Sequence, residues 1–177
     1  MSEQRLLFVT GSTRTRSVHT AAVRTARELM PEGAMAFEDL VSLPSYETLG
    51  DWAARRPEVV ELRDAIAAAD IVVFCTPEYG GRLPDSLTNL LRWAGRGGAM
   101  LGKPATWVNV ALEQAEITDA VLATRLRRMG AAVMASCGLC VPVSPDVIGA
   151  DGLIDDPATR DRLGNALQTL VALPAAA

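Results

Sequence analysis

Short apolar runs alternate along this chain with longer stretches in which apolar side chains recur every three or four positions. Arg5-Leu6-Leu7-Phe8-Val9-Thr10 is the first run; it stops at Gly11 and reads as a buried strand. Over residues 17–30, Val18, Ala22, Ala26 and Leu29 are separated by polar positions, a helical spacing that Pro31 closes. Residues 34–40 supply a second strand, weakened at its end by Glu38 and Asp39, and residues 41–56, with Pro44 and Gly50, read as a long loop. Pro57 suits the first turn of a helix, with Val59, Leu62, Ile66 and Ala69 as its apolar stripe. Ile71-Val72-Val73-Phe74-Cys75 is an unbroken apolar run, the pattern of a strand covered on both faces. Further helices are expected over residues 83–94, 117–129 and 157–173, and further strands over 105–110 and within 131–143.

Strand and helix therefore alternate, with short connections, which predicts a parallel sheet with helices packed on both faces. Right-handed crossovers leave few topologies open. The expectation is a single three-layer α/β domain over residues 1–177, flavodoxin-like, with a five-stranded parallel sheet in the order 2-1-3-4-5. In such sheets ligands gather beyond the carboxyl ends of the strands.

Composition narrows the function classes. Hydrophobic residues make up 49% and charged residues 21% of the 177, an ordinary globular balance. A formal net charge of −4 argues against a nucleic-acid partner, which calls for a basic surface. No run approaches the roughly 18 apolar residues that suggest a membrane span, and no secretory pattern opens the chain. Three cysteines make no disulfide framework, so the cytoplasm is the expected compartment.

Two segments carry chemistry. In Gly11-Ser12-Thr13-Arg14-Thr15-Arg16-Ser17, glycine permits a tight turn, the hydroxyls donate, the arginines bring charge, and the following helix aims its free N–H groups at whatever is enclosed. That pattern suits an anion; alternatively, Ser17 is only a helix cap and the arginines are only solvated. In the second segment, Pro77 restricts its predecessor, Gly80 and Gly81 allow close backbone approach to a flat ligand, and Pro84 starts a helix. The dinucleotide G-x-G-x-x-G is absent after the first strand. Gly97 to Lys103 mimics a Walker A opening, but Pro104 stands where Ser or Thr is needed and the segment precedes a strand rather than a helix.

Taken together, the two segments resemble the NADPH-dependent FMN reductase family, which includes azoreductase-like, quinone and chromate reductase members. Residues 11–19, Gly-Ser-Thr-Arg-Thr-Arg-Ser-Val-His, follow its G-S-x-R-x-x-S-x-N at all but the last position. Pro77-Glu78-Tyr79-Gly80 and residues 84–93, from Pro84 through Leu87 and Asn89 to Trp93, follow its P-E-Y-N and P-x-x-L-K-N-x-x-D-W with changes. Gly102-Lys103-Pro104 matches the approach to its fourth strand. The resemblance implies FMN as cofactor and NADPH or NADH as co-substrate. It assigns the FMN phosphate to Ser12, Arg14 and Ser17, with Arg16 and His19 beside them, and the isoalloxazine to Pro77, Glu78, Tyr79 and Gly80, largely through backbone. It further implies a small-molecule electron acceptor, a homodimer or homotetramer, and no catalytic acid or base, because the flavin carries the redox chemistry.

Three departures bear on this. His19 replaces Asn but can still donate to a phosphate, Gly80 replaces a second Asn, and Ala111-Leu112-Glu113-Gln114-Ala115-Glu116 stands where the family has a Gly-Gly turn near the flavin. Two carboxylates beside an anionic flavin are unfavourable, so they must turn away or binding weakens. The alternative function is therefore a flavodoxin-like binder of FMN or another phosphate ligand without turnover. Cys137 and Cys140, three apart in an expected strand, point to opposite faces and read as small core residues, as does Cys75. Trp93 reads as core or interface, and Trp52 as a loop aromatic that covers a flavin, forms a subunit contact or, more plainly, seeds a small satellite core.

Overall fold

The computed structural model describes residues 4–30, 32–46, 50–111 and 116–172. Strand β1 (Leu6–Thr10) and strand β3 (Ile71–Cys75) are buried at every position and run parallel, from Leu6 beside Ile71 to Thr10 beside Cys75. Strand β2 (Ala34–Phe37) pairs with the outer side of β1, and β4 (Pro104–Asn109) with the outer side of β3. A short β5 (Ala132–Val133) completes the order β2-β1-β3-β4-β5, all parallel, which is the expected order.

Side chains alternate across the sheet. Leu7, Val9, Val72, Phe74 and Trp107 face one side, where helices α2 (Pro57–Ala68), α3 (Asp85–Gly95) and α4 (Glu116–Arg128) bury Leu62, Ile66, Leu87, Leu90, Trp93, Leu122 and Leu126 against them. Leu6, Phe8, Ile71, Val73 and Val108 face the other side, under Val23, Ala26, Leu163 and Leu167 of α1 (Val18–Leu29) and α5 (Pro157–Val171). Two cores on one sheet explain why the central strands read as unbroken apolar runs. Among the described residues no helix is long and apolar enough to cross a membrane.

Two expected strands are shorter in the structure. β2 ends at Phe37 because Glu38 turns to ion pairs with Arg24 at 2.9 Å and Arg27 at 4.0 Å. The fifth strand is split: after β5 a 3-10 turn (Ala135–Cys137) intervenes, and a second two-residue strand, β6 (Leu139–Cys140), returns to β4 opposite Val108 and Asn109. The turn lays Gly138 against the Trp107 ring, where a Cβ would stand 2.9 Å from the indole nitrogen. The interruption also corrects the reading of the cysteines. Cys75 is buried, and burial pushes its thiol up to about 12, but Cys137 is only partly buried and Cys140 is exposed.

The long loop after β2 is held by the second sequence motif. Asn89 accepts a hydrogen bond from the Tyr46 amide at 2.8 Å and donates to the Pro44 carbonyl at 3.0 Å, while the Trp93 indole donates to the same carbonyl at 2.7 Å. Trp93 is fully buried and meets Tyr46 edge to face at 4.9 Å, so it is core. Part of this loop forms a 3-10 helix (Gly50–Arg55); the side chain of Trp52, within it, lies outside the described residues.

Gly11 matters for a different reason from the one its turn position suggests, since its φ is not positive. Its amide donates to the Cys75 carbonyl at 2.8 Å, and a Cβ there would stand 2.6 Å from Thr76 Cβ and closer still to Thr76 Oγ1. Gly11→Ala must push the ends of β1 and β3 apart. Overpacking of this kind costs about 1–3 kcal/mol, so urea unfolding should show a lower midpoint with an unchanged slope.

Candidate functional site

The loop after β1 is organised by its own hydroxyls. Ser17 caps α1, its Oγ accepting from the Thr20 amide at 3.0 Å and lying 2.9 Å from the Thr20 hydroxyl. Thr20 Oγ1 donates to the Arg14 carbonyl at 2.9 Å, and the Arg14 amide donates to Ser12 Oγ at 3.2 Å. These bonds bend residues 12–17 over the helix N-terminus and leave both guanidiniums in solvent. Neither Arg14 nor Arg16 has an ion-pair partner among the described residues.

A cavity of about 480 Å³ opens beside this loop. Ser12, Arg14, Arg16, Ser17 and His19 line it from the first motif, Pro77 and Tyr79 from the second, and Val18, Pro145 and Ile148 complete it. Two arginines and no carboxylate face it, so an anion there meets positive potential together with the dipole of α1, worth about 0.3–1 kcal/mol at an exposed helix end. Ser17 is thus a helix cap and a cavity-lining hydroxyl at once.

His19 is 8% exposed, and among the described residues its Nε2 is buried with no hydrogen-bond partner. Burial draws its pKa down from 6.5 to about 4, so the ring is neutral at pH 7. A buried polar atom without a partner is costly, and the residue that carries this one lines the cavity.

Glu78 and Gly80 stand just outside this lining. The Glu78 carboxylate accepts from the Gly81 amide at 3.2 Å and holds the turn, in which Gly80 (φ +60°) and Gly81 (φ +75°) adopt the left-handed conformation. A Cβ on Gly80 would meet nothing within 4 Å, so that backbone is open to approach. Tyr79 is 52% exposed and separates the cavity from a second hollow of about 520 Å³ at the start of α3.

Residues 112–115, including Glu113, lie outside the described residues. Glu116 is exposed and lines a groove between α3 and α4 rather than the cavity beside the first loop. The structure adds Asp119 to this side: burial raises its carboxyl, opposed by hydrogen bonds from Trp107 and Asn109, with Glu78 and Glu116 raising it further. Sequence reasoning also missed Pro145 and Ile148. Their signal was present, because Ser144-Pro145-Asp146 is a turn just beyond a strand's carboxyl end, where ligands gather in such sheets.

The model of the NADPH-dependent FMN reductase family matches residues 4–144. The chain belongs to that family. It is 34% identical over 93 residues to an NAD(P)H-dependent FMN reductase of Pseudomonas aeruginosa, covering 52% of this chain and 50% of that one. It is 29% identical over 125 residues to a 2-hydroxy-1,4-benzoquinone reductase of Burkholderia, covering 64% and 67%. The chain thus spans about half the length of the first curated relatives it matches. Among solved structures, the FerB flavoenzyme, an NAD(P)H:(acceptor) oxidoreductase from Paracoccus denitrificans, superposes with a TM-score of 0.78 at 25% identity over 95% of both chains.

The donor set fits the phosphate of the FMN for which this family is named: hydroxyls, two guanidiniums, a helix N-terminus and one unsatisfied imidazole atom. His19 also makes stability depend on pH. Its folded pKa lies below its unfolded value, so the unfolded chain binds the extra proton first as pH falls. The contribution is complete above about pH 6.5, declines as pH drops, and is lost once pH has passed through about 4, amounting to roughly 3 kcal/mol. His19 is the only histidine in the chain, so its ring protons should titrate alone in an NMR series near pH 4. Chemical unfolding of His19→Asn should lack that part of the slope.

Proposed function

We propose that this chain is an FMN-dependent oxidoreductase that passes reducing equivalents from NADPH or NADH to a small-molecule acceptor such as a quinone, a flavin or an azo compound. The observation that carries this reading is the convergence of both motifs on one cavity, lined also by His19, whose buried Nε2 has no hydrogen-bond partner among the described residues. Ser12, Arg14, Arg16, Ser17 and His19 hold the phosphate, the guanidiniums supplying charge and the neutral imidazole a hydrogen bond. Pro77, Glu78, Tyr79 and Gly80 carry the backbone that meets the ring system. Bound there, FMN supplies the hydride and electron transfer, and the protein's part is to place it and tune its surroundings. The 2-hydroxy-1,4-benzoquinone reductase and quinone oxidoreductase among the relatives favour a quinone as the acceptor to test first.

We also infer a homodimer or homotetramer working in the cytoplasm. The apolar part of the groove between α3 and α4, with Leu91, Val121, Met129 and the exposed Ile117, is the surface that supports assembly.

Titration with FMN should give a yellow complex that oxidises NADPH or NADH when a benzoquinone is supplied. Arg14→Ala should weaken FMN binding about 10–100-fold, the scale of a lost hydrogen bond to a charged group. Riboflavin, which lacks the phosphate, should bind both proteins alike. A complex that forms but never oxidises either nicotinamide would make the chain a binding protein; a chain that takes up no FMN would end both readings. Light scattering reports the assembly, and a monomer at micromolar concentration would exclude it.

A further inference from the structure

Charge is divided between the two ends of the candidate site. Arg14 and Arg16 stand at the end nearest α1, and no carboxylate lines the cavity there. Carboxylates gather instead beyond the carboxyl ends of β3 and β4, with Glu78 in the turn after β3 and Glu116 and Asp119 in the first turn of α4. That helical turn packs on the second motif, because a Cβ on Gly81 would stand 3.0 Å from Ile117 Cγ2. The same glycine donates its amide to the Glu78 carboxylate at 3.2 Å. The turn from Glu78 to Gly81 thus joins both sources of negative charge.

Of the three carboxylates, Asp119 is the one built into the protein. Glu116 is exposed and faces the groove between α3 and α4, and Glu78 is engaged by Gly81. Asp119 is half-buried, and the side chains of Trp107 and Asn109, both on β4, donate to it. Asn109 also accepts from the Ala111 amide at 3.0 Å, so it links Asp119 to the start of the loop after β4. These donors are neutral. They fix the carboxylate in place and leave its charge uncancelled, and its charged neighbours are Glu78 and Glu116 rather than any cation. A half-buried charge is screened less by salt and water than one on the open surface.

The position of this charge matters for a ring that meets the Pro77–Gly80 backbone. A hydride from NADPH or NADH brings two electrons and one proton, so the ring gains one negative charge while the nicotinamide gains one positive charge and leaves. Phosphate binding asks nothing of Asp119, since α1 and α4 lie on opposite faces of the sheet.

We propose that Asp119 tunes the bound cofactor: its carboxylate weakens the hold of the site on the reduced ring relative to the oxidised one, and so lowers the midpoint potential of FMN. The proposal rests on the cofactor reading given above and adds to it what makes the reduced ring yield its electrons to an acceptor. Reductive titration of the FMN-loaded chain against a reference dye reads the potential directly. Asp119→Asn keeps the shape and removes the charge. It should shift the ratio of reduced to oxidised affinity about tenfold, a rise of about 30 mV for a two-electron couple. Asp119→Ser, a second neutral variant, should raise the potential in the same direction. Asp119→Glu, which changes the shape and keeps the charge, should stay near the wild type. A potential that is unchanged or lowered in the neutral variants overturns the proposal. Equal shifts in Asp119→Asn and Asp119→Glu overturn it as well, because they are the mark of packing rather than charge. A wild-type chain that takes up no FMN overturns the cofactor reading and the proposal with it, an outcome distinct from an unmoved potential.

Discussion

The close approach of β1 and β3 at their carboxyl ends is the constraint on which the site depends. Gly11 and Thr76 are packed so tightly that no side chain fits on the glycine, and the Gly11 amide completes the ladder to Cys75. From that shared point one loop turns toward α1 and the other toward α3. Both motifs therefore begin side by side, although more than sixty positions separate them in sequence. The crevice between such diverging loops is where an open parallel sheet binds ligands, and here both loops line it. Each loop contributes little alone; convergence makes the site.

Around this point, charged side chains secure the ends of helices on the far side of the sheet. Arg63 donates to the carbonyls of Trp93 and Arg96 at the end of α3 and to Ala54 in the neighbouring 3-10 helix. Lys103 reaches the Ala67 and Ala69 carbonyls at the end of α2. Cations at helix C-termini answer both unsatisfied carbonyls and the helix dipole. Lys103, in the segment that mimics a phosphate-binding motif, thus has a structural occupation. The second motif divides in a similar way: its front half meets the cavity, while Asn89 and Trp93 at its back tie down the loop after β2.

Much of this was legible beforehand, for physical reasons that differ by residue. The unbroken runs at Leu6 to Val9 and Ile71 to Cys75 announced central parallel strands because both faces had to be covered. The hydroxyls and arginines of residues 12–17 suggested an anion site by type and spacing, and the structure brings four of these residues to one cavity. What could not be read depended on contacts between distant segments. Gly11 suggested a turn, yet its role is set by Thr76. The break in the fifth strand follows from Gly138 packing on Trp107, and the exposure of Cys140 follows from that break. His19 read as a phosphate donor in place of Asn; only three-dimensional packing shows that its Nε2 is buried and without a partner among the described residues.

The split fifth strand has a consequence for how the molecule behaves in company. An exposed sheet edge presents a row of unpaired amides and carbonyls that a neighbouring chain can copy. Here that edge consists of β5 and β6, each only two residues long, with a 3-10 turn between them. Neither piece gives an incoming strand room to establish a register. At this edge an incoming chain therefore finds no strand long enough to copy.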